Sequence, residues 1–228
     1  MSRWIATAVL LVALAIGFAL FARTPDTPAL GATPVVVELF TSQGCSSCPP
    51  ADALLQQLAR DPHVIALAFH VDYWDHLGWR DPFSSRDWSV RQGDYVRAMK
   101  LSSAYTPQIV VNGSREMVGS NAMAVNRAIA EESRRAETAR VSLKREGEAV
   151  RVQSTAPREA DLFVVLFENA PETKVARGEN GGRTLVNANV VRKVVRVANG
   201  ETVTVPRGMS AVALVQDRAT KRILAAAR

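Results

Sequence analysis

The stretch Val35-Val36-Val37-Glu38-Leu39-Phe40-Thr41-Ser42-Gln43-Gly44-Cys45-Ser46-Ser47-Cys48-Pro49-Pro50-Ala51-Asp52 decides how this chain is read. Val35 to Phe40 is a short, β-branched, apolar run and reads as a buried strand. A helix-like run follows to about Ala59, and Pro49 and Pro50 are tolerated only in its first turn, where their missing N–H groups would be unpaired anyway. Between strand and helix lie the chain's 2 cysteines, Cys45 and Cys48. Sulfur at a helix start meets unpaired N–H groups and the positive end of the helix dipole, and both stabilise thiolate. Cys45 is therefore expected to be exposed and to attack, and Cys48, one turn further in, to resolve the mixed disulfide. A bridge between residues this close closes too small a loop to staple a domain, which argues against a purely structural role.

Counting ligands disfavours a closed metal site. Such a site needs about four donors, and beyond the cysteines only His63, His70 and His76 remain, at no paired spacing. No metal or other cofactor is expected. The alternative from another class is a non-catalytic binding module, including a copper(I) carrier holding the ion by two thiolates. Copper carriers commonly add Met or His beside the pair, whereas the neighbours here are Ser, Gly and Pro.

Arg3 precedes an uncharged apolar run from Ile5 to Phe21, followed by Arg23 and a Pro/Thr-rich stretch. Residues 1–32 read as an export signal or N-terminal anchor with linker, and small residues at Ala29 and Gly31 favour cleavage. The expected location is periplasmic or secreted, with membrane contact only if the segment is retained. There a cysteine pair cycles against protein thiols or disulfides, or against a membrane electron donor, and not against the cytosolic thiol pool.

The chain has 228 residues and a net charge of +6. Residues 33–140 carry 11 basic and 12 acidic side chains, whereas residues 141–228 carry 15 and 9. That asymmetry predicts two domains, and the scattered arginines read as a solvated face, without the clustering or interleaved aromatics of a nucleic-acid surface. Over 33–140 the predicted order is β-α-β-α-β-β-α: a second apolar run at Val64 to Val71, a helix over Ser84 to Leu101, strands at Gln108 to Val111 and Arg115 to Val118 joined by an Asn112-Gly113 turn, and a closing helix from Asn121 to Arg140. Over 141–228, short alternating runs separated by turn signals predict a small antiparallel β-sandwich.

The β-α-β order, with a cysteine pair ending the first strand and Thr106-Pro107 opening the third, resembles the thioredoxin fold. The resemblance implies a cis Pro107 against the sulfurs, with Thr106 presenting its backbone to a bound client strand. Longer phrases carry a closer likeness: Glu38 to Asp52, His70-Val-Asp-Tyr-Trp-Asp75, Leu77 to Phe83, Tyr105-Thr-Pro-Gln108 and Gly178-Glu-Asn-Gly-Gly-Arg-Thr-Leu185 together resemble a bacterial exported thioredoxin-like family catalogued as domain of unknown function 1223. This implies a fold and redox character but no substrate.

Thioredoxins also bury an acid on the first strand, six residues before the nucleophile, as proton acceptor for the second cysteine. Glu38 resembles it but stands seven residues before Cys45. A carboxylate inside an apolar strand would have a raised pKa suited to that exchange, whereas on a solvated face it would have no such role. The phrase from His70 to Phe83 follows the second strand, at the sheet edge where open α/β folds place their sites. Trp74 is accordingly a candidate for binding a client peptide, or else packs the loop onto the core. His70 reads as a hydrogen-bonded strand-end residue in preference to a base. Gly178 to Gly182 is either a plain long connection or a loop that folds over the cysteines and restricts access to Cys45.

The sequence thus predicts an α/β thioredoxin-like domain over 33–140 followed by an all-β sandwich domain over 141–228, acting as a thiol–disulfide oxidoreductase. Cys45, Cys48 and Glu38 are the expected catalytic residues, and Thr106, Pro107 and Trp74 the expected client-binding ones.

Overall fold

The computed structural model describes residues 34–136, 138–169 and 172–228; the expected export segment lies outside them. Strand β1 (Val35–Thr41) lies beside parallel β2 (Val64–His70) and antiparallel β3 (Gln108–Val111), and β4 (Arg115–Val118) completes that edge. Helices α1 (Pro49–Leu58), α2 (Arg86–Ala98) and α3 (Ala122–Glu132) fall where the sequence pattern puts them. Ser85 caps α2 by accepting from the Asp87 N–H, and Asn121 caps α3 by accepting from the Ala124 N–H. Asn112 and Gly113 both take positive φ, 47° and 60°, as the two-residue turn demands. Helix α3 ends at Glu132, short of the expected Arg140, and buried Glu132 pairs there with Arg115 and Arg135.

The second half of the chain corrects the expected division. Strands β7 (Ala160–Glu168), β10 (Val190–Val197), β12 (Ser210–Asp217) and β13 (Ile223–Ala227) extend the first sheet instead of forming a separate one. The full order is β13-β12-β7-β10-β2-β1-β3-β4. Residues Thr33–Arg228 are one compact unit, so the boundary expected at 140/141 divides nothing. The junction is narrow: one parallel pair, Val190 with Ala68, backed by the Asn189 side-chain amide on the Ala66 carbonyl. A sandwich does exist, but only its outer layer is independent: β5 (Val141–Glu146), β6 (Ala149–Ser154) and β11 (Thr202–Thr204) form a three-stranded sheet.

Alternation along the strands sorts the core into three clusters. Val35, Val37 and Leu39 pack with Ala51, Leu54 and Leu55 of α1 and with Val125 and Ala128 of α3. On the opposite face, Val36, Phe40 and Phe69 pack with Trp88 and Tyr95 of α2, and with Val165, Val191 and Val212 from the second half. The outer sheet's Val150 and Val152 cover Leu162, Val164, Ala213 and Val215. The core of the cysteine-bearing half is therefore completed by the half that follows it. Helix α1 enters the structure at the carboxyl ends of β1 and β2, which positions the cysteines.

Candidate functional site

Cys45 and Cys48 form a disulfide, with Cα atoms 5.5 Å apart. Cys48 is the N-terminal cap of α1, but its side chain makes no capping hydrogen bond; Pro49 and Pro50 occupy the first helical positions. The positive end of the helix dipole is thus directed at the sulfurs. Ser47 Oγ lies 3.3 Å from Cys45 Sγ. The expectation of an exposed Cys45 is corrected: both cysteines are 0 % exposed, and only Ser46 and Ser47 of the motif meet solvent.

A segment from the second half covers them. Strands β8 (Thr173–Lys174) and β9 (Thr184–Leu185) pair into a hairpin, and its tip lies on the cysteine loop. The fully buried Asn180 side-chain amide donates to the carbonyls of Gln43 (2.9 Å) and Cys45 (2.8 Å). The Ser46 N–H donates to the Glu179 carboxylate at 2.9 Å, which holds that carboxyl below its ordinary pKa. Buried Gln43 is fixed from two sides, donating to Asn187 and accepting from the Trp79 indole N–H. Gly178 to Gly182 is therefore the covering loop of the two alternatives, and Gly178 takes φ +77° where it passes Trp79.

Beneath the disulfide sits a buried polar cluster. Asp52 follows Cys48 by four residues, so the two side chains share one helix face. The Thr41 hydroxyl, at the end of β1, donates to Asp52 Oδ1 at 2.9 Å. Burial pushes the Asp52 carboxyl up from 3.8 to about 6, against the lowering effects of His70 and Thr41. His70 pairs with Thr41 across the β1–β2 ladder and is fully buried; its Nδ1 lies 2.6 Å from Asp81 Oδ2, while its Nε2 has no hydrogen-bond partner among the described residues. Burial alone would lower the His70 pKa, but Asp81 by charge and hydrogen bond, with Asp52 behind it, lifts it above its ordinary value. Asp81 is held below its ordinary value despite its own burial, by His70 and by the N–H groups of Gln43 and Phe83.

Glu38 does not belong to this cluster. It is buried, as expected, but it alternates with Val37 and Leu39 and points to the face covered by α2, opposite α1. Its carboxylate accepts from Arg91 Nε at 2.7 Å and from the Tyr95 hydroxyl, and Tyr95 and Arg91 both reach Gln216 of β12. A strand buried on both faces carries no sign of which face lies under the cysteines, so the sequence could not place Glu38. Asp52 was the legible alternative, being one helical turn after Cys48. The partners from the second half, Glu179 and Asn180, lie about 130 residues away along the chain, beyond any local pattern.

Trp74, Thr106 and Pro107 do converge on the cysteine loop. The Trp74 indole N–H donates to Thr106 Oγ1 at 2.8 Å, and a Cβ on Gly44 would lie 3.1 Å from Trp74 Cβ. The Thr106–Pro107 peptide bond is cis. Gly119 closes the group: a Cβ there would lie 3.0 Å from Ala51 and 3.3 Å from Pro107. Among the described residues no group of three or more His, Cys, Asp or Glu side chains is arranged to hold a metal ion.

A crystal structure of a protein from Agrobacterium tumefaciens resembles this one with a TM-score of 0.71 at 31% sequence identity, covering 87% of this chain and 93% of that one. HBP35 of Porphyromonas gingivalis, at 15% identity and a TM-score of 0.51 over 86% of this chain and 74% of that one, shares the fold alone. No curated protein matches the sequence. A family model described as a protein of unknown function, DUF1223, matches residues 36–225, and the chain belongs to that family.

Proposed function

We propose that this protein is a thioredoxin-like thiol–disulfide oxidoreductase, exported from the cytoplasm by its apolar N-terminal segment and acting on protein thiols or disulfides. The observation that carries the reading is the disulfide itself: a three-residue separation, set at the start of α1, with a buried carboxyl one turn below it whose pKa burial lifts to about 6. Such a carboxyl is suited to giving and taking one proton as the bond opens and closes.

In the oxidised protein, a client thiolate attacks Cys45 Sγ. The Cys45–Cys48 bond breaks, a mixed disulfide forms on Cys45, and the Cys48 thiolate takes a proton through Asp52, with the His70–Asp81 pair behind it. A second client thiolate then attacks the client sulfur of the mixed disulfide and releases Cys45 as thiolate. Two electrons have moved from client to protein, Cys48 holds one proton, Cys45 stands as thiolate, and the client leaves as a disulfide, its own thiol protons having gone to solvent. The reverse sequence reduces a client. Trp74, packed against Gly44, and Thr106, to which its indole N–H donates, are the groups assigned to hold the client chain.

Equilibrating the pair against defined ratios of reduced and oxidised glutathione tests this. A potential between about −120 and −270 mV is expected, the range of cycling pairs; a value below about −300 mV would mark the bond as structural.

A further inference from the structure

The hairpin tip over the cysteines holds the backbone groups that any incoming thiol must pass. Asn180 spends both amide hydrogens on the Gln43 and Cys45 carbonyls, and its own oxygen accepts from Arg183 Nη1 at 2.9 Å. Glu179 occupies the Ser46 N–H. The tip carries its own internal bonds, Gly181 N–H to the Gly178 carbonyl, Arg183 N–H to the Asn180 carbonyl, and Gly182 N–H to the Val175 carbonyl. It is therefore a preformed piece that can leave the site without losing its shape. Gly182, at φ +83°, sits where the tip rejoins β9, and a Cβ there would meet no atom within 4 Å.

Resting on the oxidoreductase reading above, we propose that Glu179 and Asn180 set the specificity of this disulfide: they keep it closed to freely diffusing small thiols and admit a polypeptide partner. Such a partner supplies what the tip supplies, an acceptor for the Ser46 N–H and donors for the carbonyls of Gln43 and Cys45. A main chain offers both kinds of group in alternation, and a simple dithiol offers neither. With the tip seated, 0 % of either cysteine is accessible, so attack on Cys45 Sγ proceeds only through the fraction of molecules in which the tip has lifted. The reduction rate by a small thiol scales with that fraction.

The test uses the oxidised full chain and dithiothreitol as probe. One dithiothreitol thiolate attacks Cys45, Cys48 departs, and the second dithiothreitol thiol closes its own ring, so the probe is oxidised as the pair is reduced. Glu179→Ala, at an exposed position, should raise the rate about 10-fold by removing one charge-assisted bond, and Glu179→Ala with Asn180→Ala about 100-fold or more. Deuterium exchange at Ser46 N–H, followed in the same samples, should accelerate in parallel. Wild-type reduction rates in variants whose Ser46 amide exchanges faster would overturn the proposal, and so would an unchanged amide. Failure of the oxidoreductase reading looks different: the double variant would react quickly with dithiothreitol, yet the same variant carrying Cys48→Ala would trap no client protein.

Discussion

Replacing Asp52 with Asn separates its titration from its shape. The amide oxygen still accepts from Thr41, and the helix loses no packing. Asp52 is 8 % exposed, and burial moves its pKa from 3.8 to about 6. A gap of about two pH units corresponds to about 3 kcal/mol between folded and unfolded states. The sign follows from proton occupancy. Between about pH 4 and 6 the folded protein keeps a proton that the unfolded chain has released, so this contribution to stability falls as pH rises through that window and is fully lost above it. His70, also raised, acts in the same direction near and above neutrality, whereas Asp81, lowered, acts oppositely in acid. Relative to wild type, Asp52→Asn should be of similar stability near pH 4 and more stable by about 3 kcal/mol at pH 8, as read by urea unfolding of the oxidised proteins at a common m value. Single-turnover reduction by dithiothreitol at pH 7 should meanwhile slow at least 10-fold, and its pH profile should lose the inflection near 6. A variant that follows wild-type stability from pH 4 to 8, with unchanged exchange kinetics, would refute the assignment of Asp52 as the titrating group beneath Cys48.

Glu38→Gln should do the reverse, costing about 3 kcal/mol of stability because Arg91, only partly exposed, is left without its buried counter-charge, while the dithiothreitol rate stays at the wild-type value; thermal unfolding and stopped-flow reduction check both halves. Gly119→Ala should cost about 1–3 kcal/mol and disturb the site, since the new methyl meets Ala51, Leu39 and Pro107 at 3.0 to 3.3 Å; the expected readout is a lower urea midpoint with slower disulfide exchange. Cys48→Ala, combined with Glu179→Ala and Asn180→Ala, should accumulate mixed disulfides through Cys45, visible as reductant-sensitive adducts on non-reducing gels of cell extract.

What the sequence made legible is what local chemistry dictates. Pro49 and Pro50 required a helix start, Asn112-Gly113 required its turn, and the apolar runs at 35–40 and 64–71 required buried strands. Two kinds of information escaped. Strands apolar on both faces say nothing of sidedness, so Glu38 stood out although Asp52 holds the place beneath the cysteines. Pairings across the whole chain leave no periodic trace, and the second half reads as self-contained although Val165, Val191 and Val212 complete the core around Phe40 and Phe69. The alanine-rich β13 gives no strand signal because Ala225, Ala226 and Ala227 carry little strand preference and are held by their pairing with β12.

The joining of β10 to β2 has a consequence for biosynthesis. A ribosome emits the cysteine motif more than 130 residues before the hairpin that will cover it, an interval of roughly 7 to 26 s at ordinary elongation rates of about 5–20 residues per second. Until β7, β10 and β12 arrive, the α2 side of β1 and β2 lacks much of its cover, and Cys45 and Cys48 have no hairpin over them. Once the tip seats, the same bond is sealed. On the oxidoreductase reading proposed above, the order in which the chain is made lets the disulfide form before the hairpin covers it, whereas every later cycle would begin with the hairpin in place.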